Sequence, residues 1–316
     1  MAAATEQIAS RPARRRGSSI LAREYKWGLI FMAPWIAGFL FFFLGPMVAS
    51  LIFSFTDYQL LSTAPMKFVG LTNWKRLFTD SLVRQSFVVT GRFLLISVPL
   101  TLAAALLAAV LLNSKLLKGK ALFRTLFYMP IMIPGVAATM IWQGVLNSQT
   151  GWINVAIRAL GLPAPDWLND ARWVVPALSM IALWGIGNTM LIMLAGLQGV
   201  PTELYEAAKV DGAGPVYSFF NITIPMISPV LFYNLVLAVI GGFQYFLTAF
   251  VIYNNNNGPD NAALFYMLNL YKEGFAYYNM GYASTLAWAM FIIALLVTLG
   301  LFATSRRWVH YAAGEA

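Results

Sequence analysis

Residues 201–225 read PTELYEAAKVDGAGPVYSFFNITIP, a stretch that carries Glu203, Glu206, Lys209 and Asp211 between long segments free of charge. Its first half is punctuated like a short helix. Thr202 can cap the N-terminus, Glu203 suits the positive end of the helix dipole, and Gly212 can close the C-terminus with Pro215 just beyond. Such a helix has about nine residues and is roughly 13 Å long, too short to persist alone in water, so it must pack against something. Leu204, Ala207, Ala208 and Asp211 share one side at helical spacing, and the paired alanines keep that side thin. A thin side admits the groove of a partner protein, with Glu206 and Asp211 as acceptors for basic groups. It equally fits a helix lying on a bilayer, and spacing alone leaves both readings open.

Working outward, the chain is 59% hydrophobic and 10% charged, where soluble proteins carry about 25% charged residues. Asp, Glu, Lys and Arg are absent over 27–56, 93–114, 125–157, 173–202, 212–259 and 274–305. A membrane-crossing helix needs about 20 apolar residues, so these runs predict an all-α integral membrane protein with six transmembrane helices. The run 212–259 is read as one span over 227–252, because Pro215, Asn221, Pro225 and Pro229 occupy its start and NNNNGPDN its end. The other spans are expected from 27 onward and over 87–112, 122–146, 174–196 and 282–304. Pro34 and Pro46 should kink the first and Pro130 and Pro134 break the third, as membrane helices tolerate where neighbours satisfy the freed carbonyls. The second, with LTLAAALLAAVLL, has the small residues of a span packed inside a bundle.

The net charge of +9 follows the positive-inside rule rather than pointing to nucleic acid. RPARRR, Arg23, Lys26, Lys115, Lys118, Lys120, Arg124, Lys209, Arg306 and Arg307 all fall on one side if both termini are cytoplasmic, although Lys67, Lys75, Arg76, Arg84 and Arg92 run against the bias. Residues 1–22 read as a disordered leader, 23–305 as the membrane domain and 306–316 as a cytoplasmic tail, in which the lone His310 is solvated. The first apolar segment is too long for a cleaved signal peptide. FVGLTNWKRLF (68–78) suggests a surface helix with Trp74 and Phe78 at the interface, and the loop 147–173 one short helix. The asparagine run reads as a solvated turn rather than a metal or glycan site. With no cysteine there is no disulfide, thiol nucleophile or cysteine-bound metal.

The chain lacks the GxxxxGK[ST] loop that cradles phosphates, so any nucleotide site lies on another chain. It also shows no ionised side chain of the kind proton-coupled carriers need at mid-membrane depth. Within the spans, Trp184, Asn188, Asn234, Gln244 and Tyr245 offer the amides and aromatic rings that hold sugars. Each has a plainer reading, since asparagine also bonds neighbouring helices and tryptophan anchors span ends.

The order GLQGVPTELYEAAKVDGAGPVYSFFNITIP (196–225) resembles the EAA loop of binding-protein-dependent ABC importer permeases, through Glu206, Ala207, Ala208, Gly212, Ile222 and Pro225, with Ile224 in place of the usual leucine. APWIAGFLFFFLGPMVASLIFSFTDY (33–58), FVGLTNWKRLF and MLIMLAGLQ (190–198) are similar to the sugar-permease branch, in particular the larger membrane subunit of the maltose importer. The resemblance implies the type I importer permease fold, in a bacterial or archaeal cytoplasmic membrane. It makes 203–211 a coupling helix docked in a cleft of an ATPase, with Glu206 accepting a hydrogen bond, Asp211 and Gly212 ending the helix, and Ala207, Ala208 and Ala213 in the same coupling set. It implies two cytoplasmic ATPase subunits, a second homologous permease, an external substrate-binding protein, surrounding lipid and a carbohydrate substrate, with no cofactor or metal of its own. Gly185 and Asn188 fall at substrate-contact positions and Leu237 to Gly242 near another, where Gly241 and Gly242 offer no side chain. The competing readings are a stand-alone ion-coupled carrier and an importer of a polyol or glycerol phosphate.

Overall fold

The computed structural model describes residues 17–114, 116–254 and 256–310, with side chains from residue 24 onward. Of the leader expected over 1–22, residues 1–16 lie outside this range, as do Lys115 and, in the tail, 311–316. From Gly17 the chain is already helical, in α1 (Gly17–Phe39), because no proline or further glycine interrupts the run into the first span. A π-helical turn, Leu40–Leu44, leads to α2 (Gly45–Phe53), and Glu24–Phe53 forms one continuous span. Pro34 sits inside α1 without breaking it. The irregularity falls just before Pro46, whose missing N–H frees the carbonyl of Phe42; here the Gly45 amide reaches back to Leu40. The rings of Trp35, Phe39 and Phe43 stack along this segment at 5.6 and 6.2 Å.

Among the described residues the remaining elements are all helical. In order they are α3 (Thr72–Thr79), α4 (Ser81–Asn113), α5 (Lys120–Tyr128), α6 (Gly135–Val145), α7 (Trp152–Ala159), α8 (Ala171–Leu183) and α9 (Gly187–Gln198). Then follow α10 (Thr202–Val210), α11 (Pro215–Ser218), α12 (Ile224–Met226), α13 (Ser228–Phe243), α14 (Leu247–Tyr253), α15 (Tyr266–Tyr271) and α16 (Met280–Ser305). Ser81–Asn113, Ser228–Tyr253 and Met280–Ser305 are long and apolar enough to cross a membrane unbroken. Two further crossings are bent pairs, α5 with α6 at 105° and α8 with α9 at 55°, which brings the total to six if each pair is one span. Pro130 lies in a 3-10 turn (Met129–Met132) and Pro134 takes an extended conformation ahead of α6, as the prolines of that segment led us to expect.

α4 is the central column, packed on α8, α9 and α13. It starts six residues before the expected 87, because Asp80 caps it by accepting the amides of Leu82 and Val83. Ala105, Ala108 and Ala109 are buried against Met190, Met193 and Leu194 of α9, and the small side chains let the two backbones come close. At the end near α3, the Tyr282 hydroxyl donates to Asp80 at 2.9 Å, and Arg76 pairs with Glu273 at 3.2 Å while lying over the Tyr282 ring. α3 is the expected surface helix, but only Phe78, 90% exposed, has the predicted setting, whereas Trp74 is half-buried against Phe55. The asparagine-rich turn is more than solvated. Asn254 takes the left-handed backbone, but Asn257 bonds Asn261 and accepts from the buried Lys272 ammonium, whose pKa burial pushes down.

The break between α8 and α9 depends on one glycine. A Cβ on Gly187 would lie 2.4 Å from the Phe127 carbonyl oxygen. Gly187→Ala should therefore push α9 off the α5 end and lower stability by about 1–3 kcal/mol, read as a drop in melting temperature in detergent. Gly91→Ala, with nothing within 4 Å, should leave the melting temperature unchanged or slightly raised.

Candidate functional site

Two features stand out, a short charged helix at one end of the bundle and a polar cavity among the longer helices. The charged helix is α10, nine residues long as expected. Its start differs: Pro201 holds the boundary position, so Thr202 is already the first helical residue and makes no capping bond. The first turn has no side-chain cap, and Glu203 lies in it, where its charge suits the positive end of the helix dipole. The other end closes as the sequence suggests. Gly212 takes φ +79°, its amide bonds the Lys209 carbonyl at 3.1 Å, and the Ala213 amide bonds the Ala208 carbonyl at 2.8 Å, the paired bonds of a Schellman motif.

α10 buries no side chain completely. Tyr205 turns inward, packs with Ile222 and Ile224 against the cluster that holds Leu197, Val200 and Ile227, and its hydroxyl lies 2.9 Å from Thr223 Oγ1. Glu206, Ala207, Lys209 and Asp211 face outward, Ala208 is half-buried, and Val210 is 88% exposed. Among the described residues neither Glu206 nor Asp211 has an ion-pair partner. Val216, Tyr217 and Phe220 extend an apolar rim beside these carboxylates. Sequence reading missed that rim; its signal was the VYSFF run enclosed by prolines. Free acceptors beside exposed apolar side chains suit a protein groove lined by basic groups.

The cavity, of 270 Å³, lies between α4, α9 and α13. Of the residues singled out from sequence it brings together Asn188, Asn234, Gly241 and Tyr245. Asn188 is exposed, and among the described residues its side chain has no protein hydrogen bond. The Asn234 amide group donates to the Val230 carbonyl at 2.8 Å, which leaves its oxygen open. Tyr245 packs against Phe93 at 4.2 Å with the rings tilted by 33°, and so presents an aromatic wall. Trp184 and Gly185 are not in the lining: Trp184 packs edge-on against Trp142 at 5.9 Å, and Gly185 lies in the turn between α8 and α9. Gln244 is not there either. The chain turns after α13, and Gln244 instead lines an apolar groove with Phe243, Met290 and Phe291.

Sequence reading missed Ser97, Thr101 and Thr189, hydroxyls in the lining. Ser97 and Thr101 follow Phe93 at four-residue spacing on one face of α4, a pattern hidden within a span whose alanines argued only for packing. No charged side chain lines the cavity. Its neutral hydroxyls, amides and ring can hold a neutral, hydroxyl-bearing molecule. Among the described residues no group of His, Asp and Glu side chains could hold a metal ion.

Residues 101–310 match the family described as binding-protein-dependent transport system inner membrane component, and the chain belongs to that family. It is thus the permease subunit of a binding-protein-dependent ABC importer, a multi-pass membrane protein whose ATP hydrolysis is carried out by partner subunits. The chain is 43% identical to the probable ABC transporter permease protein YesP of Bacillus subtilis (strain 168), over 91% of this chain and 93% of that one. It is 34% identical to the arabinooligosaccharides transport system permease protein AraP of the same organism, over 85% of each chain. Its fold matches a chain in the crystal structure of a bacterial ABC transporter that imports the acidic polysaccharide alginate, with a TM-score of 0.78 at 23% identity, over 92% of this chain and 98% of that one.

The left-handed Gly212 gives a local test. Gly212→Ala should cost about 1 kcal/mol of local stability, seen as faster hydrogen exchange at the Ala213 amide. Exchange unchanged from the parent would mean that the closing turn does not hold α10.

Proposed function

We propose that the chain forms half of the translocation pathway of a carbohydrate importer, and that α10 is the lever coupling this pathway to ATP hydrolysis. The observation that carries the reading is the lever itself. Among the described residues, a closed nine-residue helix shows Glu206 and Asp211 without ion pairs while Tyr205 bonds Thr223 in the π-helical turn ahead of the next span. In this reading α10 sits in the cleft of one of two cytoplasmic ATPases, with Glu206 accepting from a basic group there, and Ala207, Ala208 and Ala213 allow the close approach. A second, homologous permease completes the pathway, both termini are cytoplasmic, and 23–305 is the membrane domain.

The carbohydrate assignment rests on the neutral cavity and on relatives named for arabinooligosaccharide, lactose and trehalose/maltose transport. Asn188 and Asn234 hydrogen-bond the passing sugar and Tyr245 stacks on it. The absence of charge from the lining disfavours a phosphorylated cargo. An external binding protein delivers the sugar.

Glu206→Ala removes a charge-assisted bond of about 1.5–3 kcal/mol, so the ATPases should be recovered about ten-fold or more less well in a pull-down while the permease stays folded. Undiminished recovery with intact uptake would remove Glu206 from the coupling contact. Asn188→Ala should lower uptake about ten-fold without dissociating the complex; parental uptake kinetics would take Asn188 out of the pathway.

A further inference from the structure

The loop between α6 and α8 meets its own polar needs and leaves its apolar side uncovered. Asn147 turns the chain out of α6, its side-chain oxygen accepting the amides of Gln149 and Thr150 at 2.9 Å each. The Gly151 amide then bonds the Asn147 carbonyl at 3.0 Å. A Cβ on Gly151 would lie 2.4 Å from the Val145 carbonyl oxygen, so α7 starts directly against the last residue of α6. Inside the loop the buried Asn154 donates to the carbonyls of Ser148 and Pro165 and accepts the Trp167 ring N–H at 2.6 Å. The Arg158 guanidinium donates to the carbonyls of Ser148 and Gln149. Carbonyls that water would serve in a solvated loop are thus bonded by the chain's own side chains, as a segment withdrawn from bulk water requires.

The outward side of α7 is apolar. Trp152, Val155, Ala156 and Ala159 recur at positions i, i+3, i+4 and i+7 and are all exposed, Trp152 by 80%. Leu160, exposed by 76%, and Leu162 extend the strip. The opposite side is anchored, with Ile153 packed on the core cluster that holds Leu146 and Val174. Arg158 has no carboxylate partner among the described residues. Trp173, exposed in the first turn of α8, meets the Trp167 ring edge-on at 5.1 Å. Because α6 and α8 belong to the two bent spans, this loop sits where both leave the bilayer. An apolar strip with a free guanidinium beside it and tryptophans around it matches the zone between acyl chains and headgroups.

We propose that α7 lies in the membrane interface, with Trp152, Val155 and Leu160 seated among phospholipid acyl chains and Arg158 at the level of the phosphates. Seated so, α7 fixes the depth at which the ends of α6 and α8 meet the bilayer. The proposal requires only that these helices span the membrane, and is independent of the coupling and carbohydrate readings.

The chain has no cysteine, so Val155→Cys, Leu160→Cys and Asn169→Cys, all at exposed positions, can carry single spin labels in the complete importer in phosphatidylcholine–phosphatidylglycerol nanodiscs. Undiminished co-purification of the ATPases marks each labelled chain as folded. Power-saturation EPR compares collision with oxygen, which concentrates in hydrocarbon, and with a water-soluble nickel chelate. The Val155 and Leu160 labels should meet oxygen several-fold more often than nickel, the Asn169 label the reverse, and addition of the binding protein should leave the first two unchanged. Nickel reaching Val155 and Leu160 as freely as Asn169 means that the strip faces water, and overturns the proposal. Exclusion of both reagents, from the outset or once the binding protein is added, means that protein covers the strip, and overturns it as well.

Discussion

The close approach of α4 to α9 is the contact on which the rest depends. Ala105, Ala108 and Ala109 bring α4 against Met190, Met193 and Leu194. Further along the same two helices, Ser97 and Thr101 are set opposite Asn188 and Thr189 across the cavity. In the other direction the same cluster continues through Leu197 and Val200 to Tyr205, the inward side of the lever. One alanine-lined seam thus positions both the polar groups and the base of α10. A bulky side chain in it would shift both, because packed interiors accommodate extra volume poorly.

Irregular backbone in this protein coincides with its candidate functional parts. The bend between α8 and α9 places Asn188 at the start of α9, and it is possible only because Gly187 can lie against the Phe127 carbonyl. The break after α13 turns Tyr245 toward the cavity and Gln244 into a separate groove. The π-helical turn and prolines after α11 interrupt the path between lever and span. In a bilayer such interruptions are tolerated where neighbouring protein satisfies the backbone. Thr223 and Ser228 are each bonded to a carbonyl in the interrupted stretch.

Much of this was legible in the sequence. The charge-free runs located the spans, and the spacing from Glu203 to Gly212 defined the lever to within a residue, since a positive-φ glycine and a short charged helix leave strong local marks. The capping role assigned to Thr202 failed because Pro201 could hold the boundary equally well. Asp80 was passed over as a cap because the span was read over 87–112 from its apolar length, not from the capping residue that starts the helix. Trp184 and Gln244 lie outside the cavity for a different reason: which way a side chain points from a broken helix depends on the bend, and no periodicity reports a turn such as the 55° between α8 and α9. Ser97 and Thr101 were hidden because a small hydroxyl in an alanine-rich span looks like packing until the facing helix is known. The tail expected to be solvated is tied down by the His310 backbone amide, which bonds the Ser228 hydroxyl at 2.8 Å, and a backbone amide has no sequence signature.

The central claim is that α10 is a cytoplasmic lever held by an ATPase. The most direct measurement uses a single cysteine at Val210, the most exposed apolar position of that helix, in a chain that otherwise has none. In right-side-out vesicles bearing the assembled importer, a membrane-impermeant maleimide should fail to label it, and in inverted vesicles it should label only after the ATPases are stripped. Labelling from the outside, or labelling from the inside that is indifferent to the ATPases, would contradict the account.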